Sequence, residues 1–345
     1  MNKIFFSLLV LGLFTVIPSY GHAQDKSLVL TSEQKTILKE VEDKSSKELT
    51  LDQIDKFTID QGEKMVLEYL KKHNLNYEIG SEDYINFLSS LAFEKPDTGV
   101  KKDPSFDIMD AYGSVYLNEF DYAQSIDPEL DSFQLNQSIK NKTIKEIRLQ
   151  NEKENEEFET EVEKLSTLAN STKATVAATF NRSKAKSYMK KHWKSYNPNY
   201  RKFKNDCTNY ASQVVQAGGM KQQGSSASPG HHSSTTKWYY KKLPNNAHTY
   251  STSWSVVKDF YKYWAGYKGH SHKMFKGHKD PASYTKTGDI IILRDQKTGH
   301  WKHAVIDNGR TKAGYVAYSG HTNNHLKKSL YNVDGKKYDF YCIKF

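Results

Sequence analysis

Cys207 opens a short stretch, Asp206-Cys207-Thr208-Asn209-Tyr210-Ala211-Ser212-Gln213-Val214-Val215, that closes on Gly218-Gly219. Apolar residues at 210, 211, 214 and 215 recur at three- and four-residue spacing, which predicts a helix. Asp206 suits its start as a cap, and the glycines suit its end. Cys207 then lies in the first turn, on the face of Tyr210 and Ala211. Free amides and the helix dipole at that position favour thiolate over thiol, and thiolate is the nucleophilic form. The same amides can hold an oxyanion during acyl transfer. The plainer alternative for the same spacing is a buried structural cysteine.

A cysteine nucleophile is usually partnered by a histidine base. Residues 166–345 hold eleven histidines, so position has to select among them. His303 opens the apolar pattern Ala304-Val305-Ile306, and the next strand pattern ends at His321. A hairpin turning around residues 308–315 would set position 303 opposite 320 or 321. His303 and His321 would then be neighbours, as a base and its orienting group. His300 is the second candidate for the base, and Asp307 sits a strand length away. Asp206, Tyr210 and Trp254 are candidate substrate contacts, against the plainer reading of one cap and two core aromatics. Cys342, in the apolar run Phe340 to Phe345, is expected to be buried. A Cys207–Cys342 disulfide would consume the nucleophile and is not expected. His270-Ser271-His272 and His303-x-x-x-Asp307 have metal-ligand spacing, but lysines crowd the former and repel a cation. No metal and no cofactor is expected.

The elements that must position these residues follow a sharp division of charge. Residues 1–23 read as a secretory signal: one charge at Lys3, an apolar run from Ile4 to Ile17, then Pro18 and Gly21-His22-Ala23. That run is short for a membrane span of about 20 residues. No later stretch is apolar enough to cross a bilayer, so an exported protein is expected. Residues 24–165 carry 32 Asp and Glu against 18 Lys and Arg, a net −14, whereas residues 166–345 carry 8 against 31, a net +23. Such asymmetry marks two units with different partners. Residues 24–138 read as an acidic, mostly helical region, with apolar stripes at Ile37-Leu38-Val41, at Met65-Val66-Tyr69-Leu70 and at Tyr84-Phe87-Leu88-Leu91. Glu94 to Asp107, with Pro96, Gly99 and Pro104, reads as a loop. Residues 139–174 read as an exposed, charged helical connector. No catalytic constellation is seen in residues 24–165. Their acids form either a solvated face or a region that docks on the basic unit and inhibits it.

In residues 175–345 the pattern predicts a helix from Phe180 to Tyr196, the Cys207 helix, and a long surface loop over 220–250. A helical stripe follows through Val256, Val257, Phe260, Tyr261 and Trp264. The last third reads as strands at Asp289–Leu293, His303–Asp307, Tyr315–His321 and Tyr338–Phe345. The fold class is therefore α+β.

Several pieces of this basic unit, in consistent order, resemble the amidase domain family of secreted Gram-positive proteins. They are Phe180-Asn181-Arg182 with Tyr188, Asn197-Pro198-Asn199-Tyr200, the Asp206–Gln213 stretch, Ser253-Trp254, Gly288-Asp289-Ile290-Ile291, His303-Ala304-Val305-Ile306 and His321-Thr322-Asn323. The family is related to the NlpC/P60 and CHAP cysteine peptidases and amidases, and the resemblance covers residues 178–345. It implies a papain-like, NlpC/P60-like core, with the Cys207 helix packed on an antiparallel sheet. It implies a nucleophile at Cys207 and a base at His303. The orienting group would be His321 first and Asn323 second. The implied reaction is hydrolysis of an amide bond in peptidoglycan. A wall-binding module without turnover, or acyl transfer or deamidation of a protein, would use the same fold. A +23 unit seeks polyanions, and anionic cell-wall polymers are the expected ones for an exported chain; nucleic acid is not expected.

Overall fold

The computed structural model describes residues 27–345 except 44–47, 93–98, 128, 129, 131, 172–178, 278, 279, 323 and 334. The signal pattern at 1–23, the Pro96 part of the 94–107 loop, the start of the basic unit at 175 and Asn323 lie outside the described residues.

The acidic region folds as its apolar stripes require. Helix α1 spans Ser32–Asp43, α2 Ile59–Lys72 and α3 Glu82–Leu91. Thr58 and Gln61 bond reciprocally at the start of α2, and Ser81 caps α3 through the Tyr84 amide, so orphan amides of both first turns are satisfied. These helices pack around α4, Phe106–Ile126, which is buried on almost every side. Tyr112, Tyr116 and Phe120 of α4 join the helical core with Tyr84 and Leu88. A second stripe of α4 is polar: Asp107, Asp110, Ser114, Asp121 and Gln124, all buried and spaced at helical period. It faces the basic unit.

The expected connector is a helix, α5, Ile144–Ser171, exposed over most of its length but with one buried stripe. Ile144 and Ile147 join the acidic region's core, while Phe158 and Val162 join the cluster that holds Cys207. The charge boundary near 165 is therefore not a packing boundary.

In the basic unit, α6 is Arg182–His192 and α7 is Cys207–Ala217. Strands β1 (Gly230–His232), β2 (Tyr240–Lys242) and β3 (His248–Ser251) form a small sheet, ordered β1-β3-β2, inside the stretch expected to be a loop. Trp238, Tyr240 and Tyr250 anchor it to the core, which is the signal that Gly, Ser and His composition masked. The main sheet contains β4 (His272–Lys276), β5 (Ile290–Asp295), β6 (Trp301–Arg310), β7 (Val316–Gly320), β8 (His325–Ser329) and β9 (Tyr338–Ile343), ordered β4-β9-β5-β6-β7-β8. Its paired neighbours are antiparallel throughout. β5, β6, β7 and β9 match expected strands; β4 and β8 were not expected. The central strands β5, β6, β7 and β9 are buried on both faces, which explains the unbroken apolar runs Ile290–Leu293 and Phe340–Ile343.

Side chains alternate across that sheet. Ala304, Ile306, Ile290, Ile292, Tyr341 and Ile343 face α7 and share its cluster with Cys207. Val305, Ile291, Leu293, Phe340 and Cys342 face the other side, with Val316 and Tyr318. Cys207 and Cys342 are both buried free thiols, one on each face of the sheet.

Candidate active site

Cys207 occupies the first position of α7, as the spacing predicts, and is 1% exposed. Its sulfur meets Thr208 Oγ1 at 3.6 Å and the Ala304 amide of β6. The expected thiolate is not favoured. Burial first, then the Asp121 carboxyl, push the Cys207 thiol up to about 12, against the smaller help of the Ala304 amide. Sequence spacing revealed the helix terminus but not the carboxyl that another part of the chain brings to it.

Asp206 is not the helix cap that its position suggests; its side chain caps no amide of α7. Oδ1 accepts from the Phe203 amide (2.9 Å) and Asn209 Nδ2 (2.8 Å), and Oδ2 accepts from His321 Nδ1 (2.6 Å). The carboxylate thus turns back into its own loop and across to β7. His321 Nε2 donates to the His192 carbonyl (2.8 Å), and its ring stacks on Tyr210 at 3.7 Å.

Register decides where the two histidines go. β6 and β7 form the expected hairpin, with Ile306 opposite Ser319 and Asp307 opposite Tyr318. Carried on, this register sets His321 opposite Ala304, not His303. A one-residue shift reverses the face. His321 therefore lies on the Cys207 side, and His303 on the side of Val305. A Cβ built on Gly320 would lie 3.7 Å from Val305 Cγ1 and 3.8 Å from His303 Nε2, which locates that imidazole. Burial, with His325 and Lys302 nearby, pulls the His303 pKa down to about 3, so the ring is neutral. His300 lies against Asn151 of α5, away from the thiol. Tyr210 and Trp254 are fully buried: the Tyr210 hydroxyl donates to the Met189 carbonyl, and Trp254 Nε1 donates to Asn209 Oδ1 (2.8 Å). With the equally buried Asp206 they build the wall behind the site; they do not line an open groove.

The remaining motif pieces explain one another. Arg182 Nη1 pairs with Asp289 (2.9 Å), and Nη2 donates to the Phe345 carbonyl (2.6 Å). Phe180 fills the space left by two glycines: a Cβ at Gly218 would come within 1.9 Å of its ring, and one at Gly288 within 2.5 Å. Segments 180–182, 218 and 288–289, far apart in sequence, are thus one interlocked support for α7.

Residues 179–343 match the family described as "Putative amidase domain". They form an amidase-like domain, and an amidase-type hydrolase is the activity this supports. "Uncharacterized protein YhbB" of Bacillus subtilis (strain 168) is 25% identical over 143 residues, 41% of this chain and 42% of that protein. The matched part is thus less than half of the curated relative. No solved structure matches the chain.

The loop leading into the Cys207 helix of the amidase-like domain is held from outside it. Asn205 Nδ2 donates to Asp121 Oδ1 of α4 (2.6 Å). Thr322 Oγ1 donates to Asn205 Oδ1 (3.0 Å) and accepts from the Asp206 amide (3.0 Å). Thr322 does this at φ +52°, a costly conformation for a β-branched residue. A continuous chain therefore runs Asp121, Asn205, Thr322, Asp206, His321. Asn205, Thr322 and Asp121 were not singled out from sequence. The first two stand within or beside the motifs, but nothing in their spacing assigns them a bond, and Asp121 lies 86 residues away from Cys207.

Proposed function

We propose that the amidase-like domain is an exported, papain-like cysteine hydrolase that cuts an amide bond in peptidoglycan. Cys207 Sγ attacks the amide carbonyl, and the thiol proton passes to His303. His303 takes this part by the family resemblance; in the described arrangement its burial, which pulls the imidazole down to about 3, makes it a weak acceptor. His321 is nearer the thiol's face, yet both its ring nitrogens are engaged, with Asp206 and with the His192 carbonyl, so neither is turned to the thiol. Its part is to fix Asp206 and the loop before Cys207. Asn323 is the candidate to orient His303. The Cys207 backbone amide stabilises the oxyanion. Collapse of the tetrahedral adduct breaks the C–N bond, and His303 gives its proton to the leaving amine. Water, activated by His303, then cleaves the thioester and restores the thiol. The His303 ring and the Cys207 thiol lie on opposite sides of β6, so the proposed transfer requires a rearrangement of this strand.

The observation that carries this reading is a cysteine at the first position of a helix, packed on the central strands of an antiparallel sheet, inside the family-matched segment. The net +23 of residues 166–345 supports a substrate wrapped in anionic polymer. The test is to incubate the protein and its Cys207→Ala variant with purified peptidoglycan and to identify released fragments by mass spectrometry. Fragments from the wild type alone are expected, and their masses name the bond. Equal release by Cys207→Ala would end the cysteine mechanism.

A further inference from the structure

The last turns of α4 lie on the loop that delivers Cys207. Gln124 Oε1 accepts from the Lys204 amide (2.6 Å), and its Nε2 donates to the Asn205 carbonyl (3.4 Å). Asp121 accepts from the Asn205 side chain. The Lys204 ammonium donates to the carbonyls of Gly80 (3.1 Å) and Leu130 (2.9 Å), and Lys202 pairs with Glu82 (2.6 Å). Every residue of the Lys202–Asn205 segment except Phe203 is thus held by the acidic region, and the next two residues are Asp206 and the nucleophile. Asp121, Gln124 and Ser125 are buried in this contact, as are Asn205, Asp206 and Cys207.

We propose that the acidic helical region is a built-in inhibitor of the Cys207 site, with the Asp121–Ser125 end of α4 as the plug. The proposal rests on Cys207 being the nucleophile. Closure excludes solvent and substrate from the thiol, because the end of α4 holds the loop that delivers Cys207 and both sides of that contact are buried. The same contact reaches His321 through Asn205, Thr322 and Asp206, so lifting α4 frees the hydrogen-bond chain on the thiol's side of the sheet as well as the thiol.

The test uses the full chain and reads thiol reactivity separately from hydrolysis. The Asp121→Ala/Gln124→Ala variant removes the plug's polar contacts. The Lys202→Glu variant sets two acids against each other at a half-exposed pair, where refolding of the core is not at stake. Iodoacetamide labelling of Cys207 and of Cys342 is followed by mass spectrometry, and fragment release from peptidoglycan is measured in parallel. The expected result is a rise of about tenfold in Cys207 labelling for the double variant, and of about threefold for Lys202→Glu. Cys342 should stay protected, and fragment release should rise with Cys207 labelling. Selective labelling without fragments would uphold the plug and refute the hydrolase reading. Unchanged Cys207 labelling in both variants would overturn the plug. So would a loss of fragment release with unchanged labelling, which would make α4 a working wall of the site. Should the double variant unfold, exposing both cysteines together, Lys202→Glu decides alone.

Discussion

Asp206 shows how much a single carboxylate can be asked to do. It accepts from a loop amide, from Asn209 and from His321, all in a buried setting. Asp206→Asn keeps the shape but must present a donor where His321 also donates. A loss of about 2–3 kcal/mol in urea unfolding is expected from one such buried mismatch. Its residue type and place before a helix made a cap the natural reading; no pattern reveals that the side chain turns the other way. Histidines 300 and 303 carry a second prediction. Burial pulls both down to about 3, from an ordinary 6.5 in the unfolded chain. The unfolded state therefore binds more protons between those values. Stability from this source is complete above about pH 6.5 and falls as the pH drops toward 3, by up to about 1.4 kcal/mol per pH unit for each ring. Thermal midpoints recorded from pH 7.5 down to 4.5 should fall, and His303→Gln should make that decline shallower.

Helix α4 carries two messages on one cylinder. Tyr112, Tyr116, Phe120 and Tyr122 mark packed structure in the sequence, though not that it is one long helix. The interleaved stripe Asp107, Asp110, Ser114, Asp121, Gln124 is equally periodic, yet acids at helical spacing ordinarily mean a wet face, so a docking surface could not be told from a solvated one. The β6–β7 hairpin is the converse case. Its existence and turn followed from alternation and glycine placement, but the two-histidine pairing depended on a register that one residue overturns. Supports between elements are readable only after folding. Gly218 has ordinary helical φ and ends α7, so conformational freedom does not explain it; room for Phe180 does. Gly218→Ala should cost about 1–3 kcal/mol by overpacking. Phe180→Leu should offset much of that cost when the two changes are combined, and a double-mutant cycle of urea midpoints checks the coupling.

Across the molecule, opposite net charges meet as specific pairs. Asp110 takes Lys297 (2.7 Å) and Lys302 (2.6 Å) together, deep between the units, and Asp107 takes Lys337 (2.5 Å). The two lysines hold the Asp110 carboxyl well below the usual carboxylate range, overriding its burial. Asp110→Ala strands two buried cations, at a cost of about 3–5 kcal/mol. All five tryptophans lie between 193 and 301, so their fluorescence reports the amidase-like domain, while far-ultraviolet circular dichroism weighs the acidic helices more heavily. The wild type should unfold with both signals superimposed, and Asp110→Ala should separate them. Helix α5 sets a further condition. Phe158 packs its ring edge-on to Trp301 and touches Tyr261, and Val162 closes on the backbone of Gly266. A fragment cut at 175 would strip these residues away and leave a sticky, water-facing patch of indole and phenol rings. Such a fragment should aggregate on size-exclusion chromatography. As a portable part for fusion or shuffling, the amidase-like domain therefore begins at Ile144, some 35 residues before the family-matched segment.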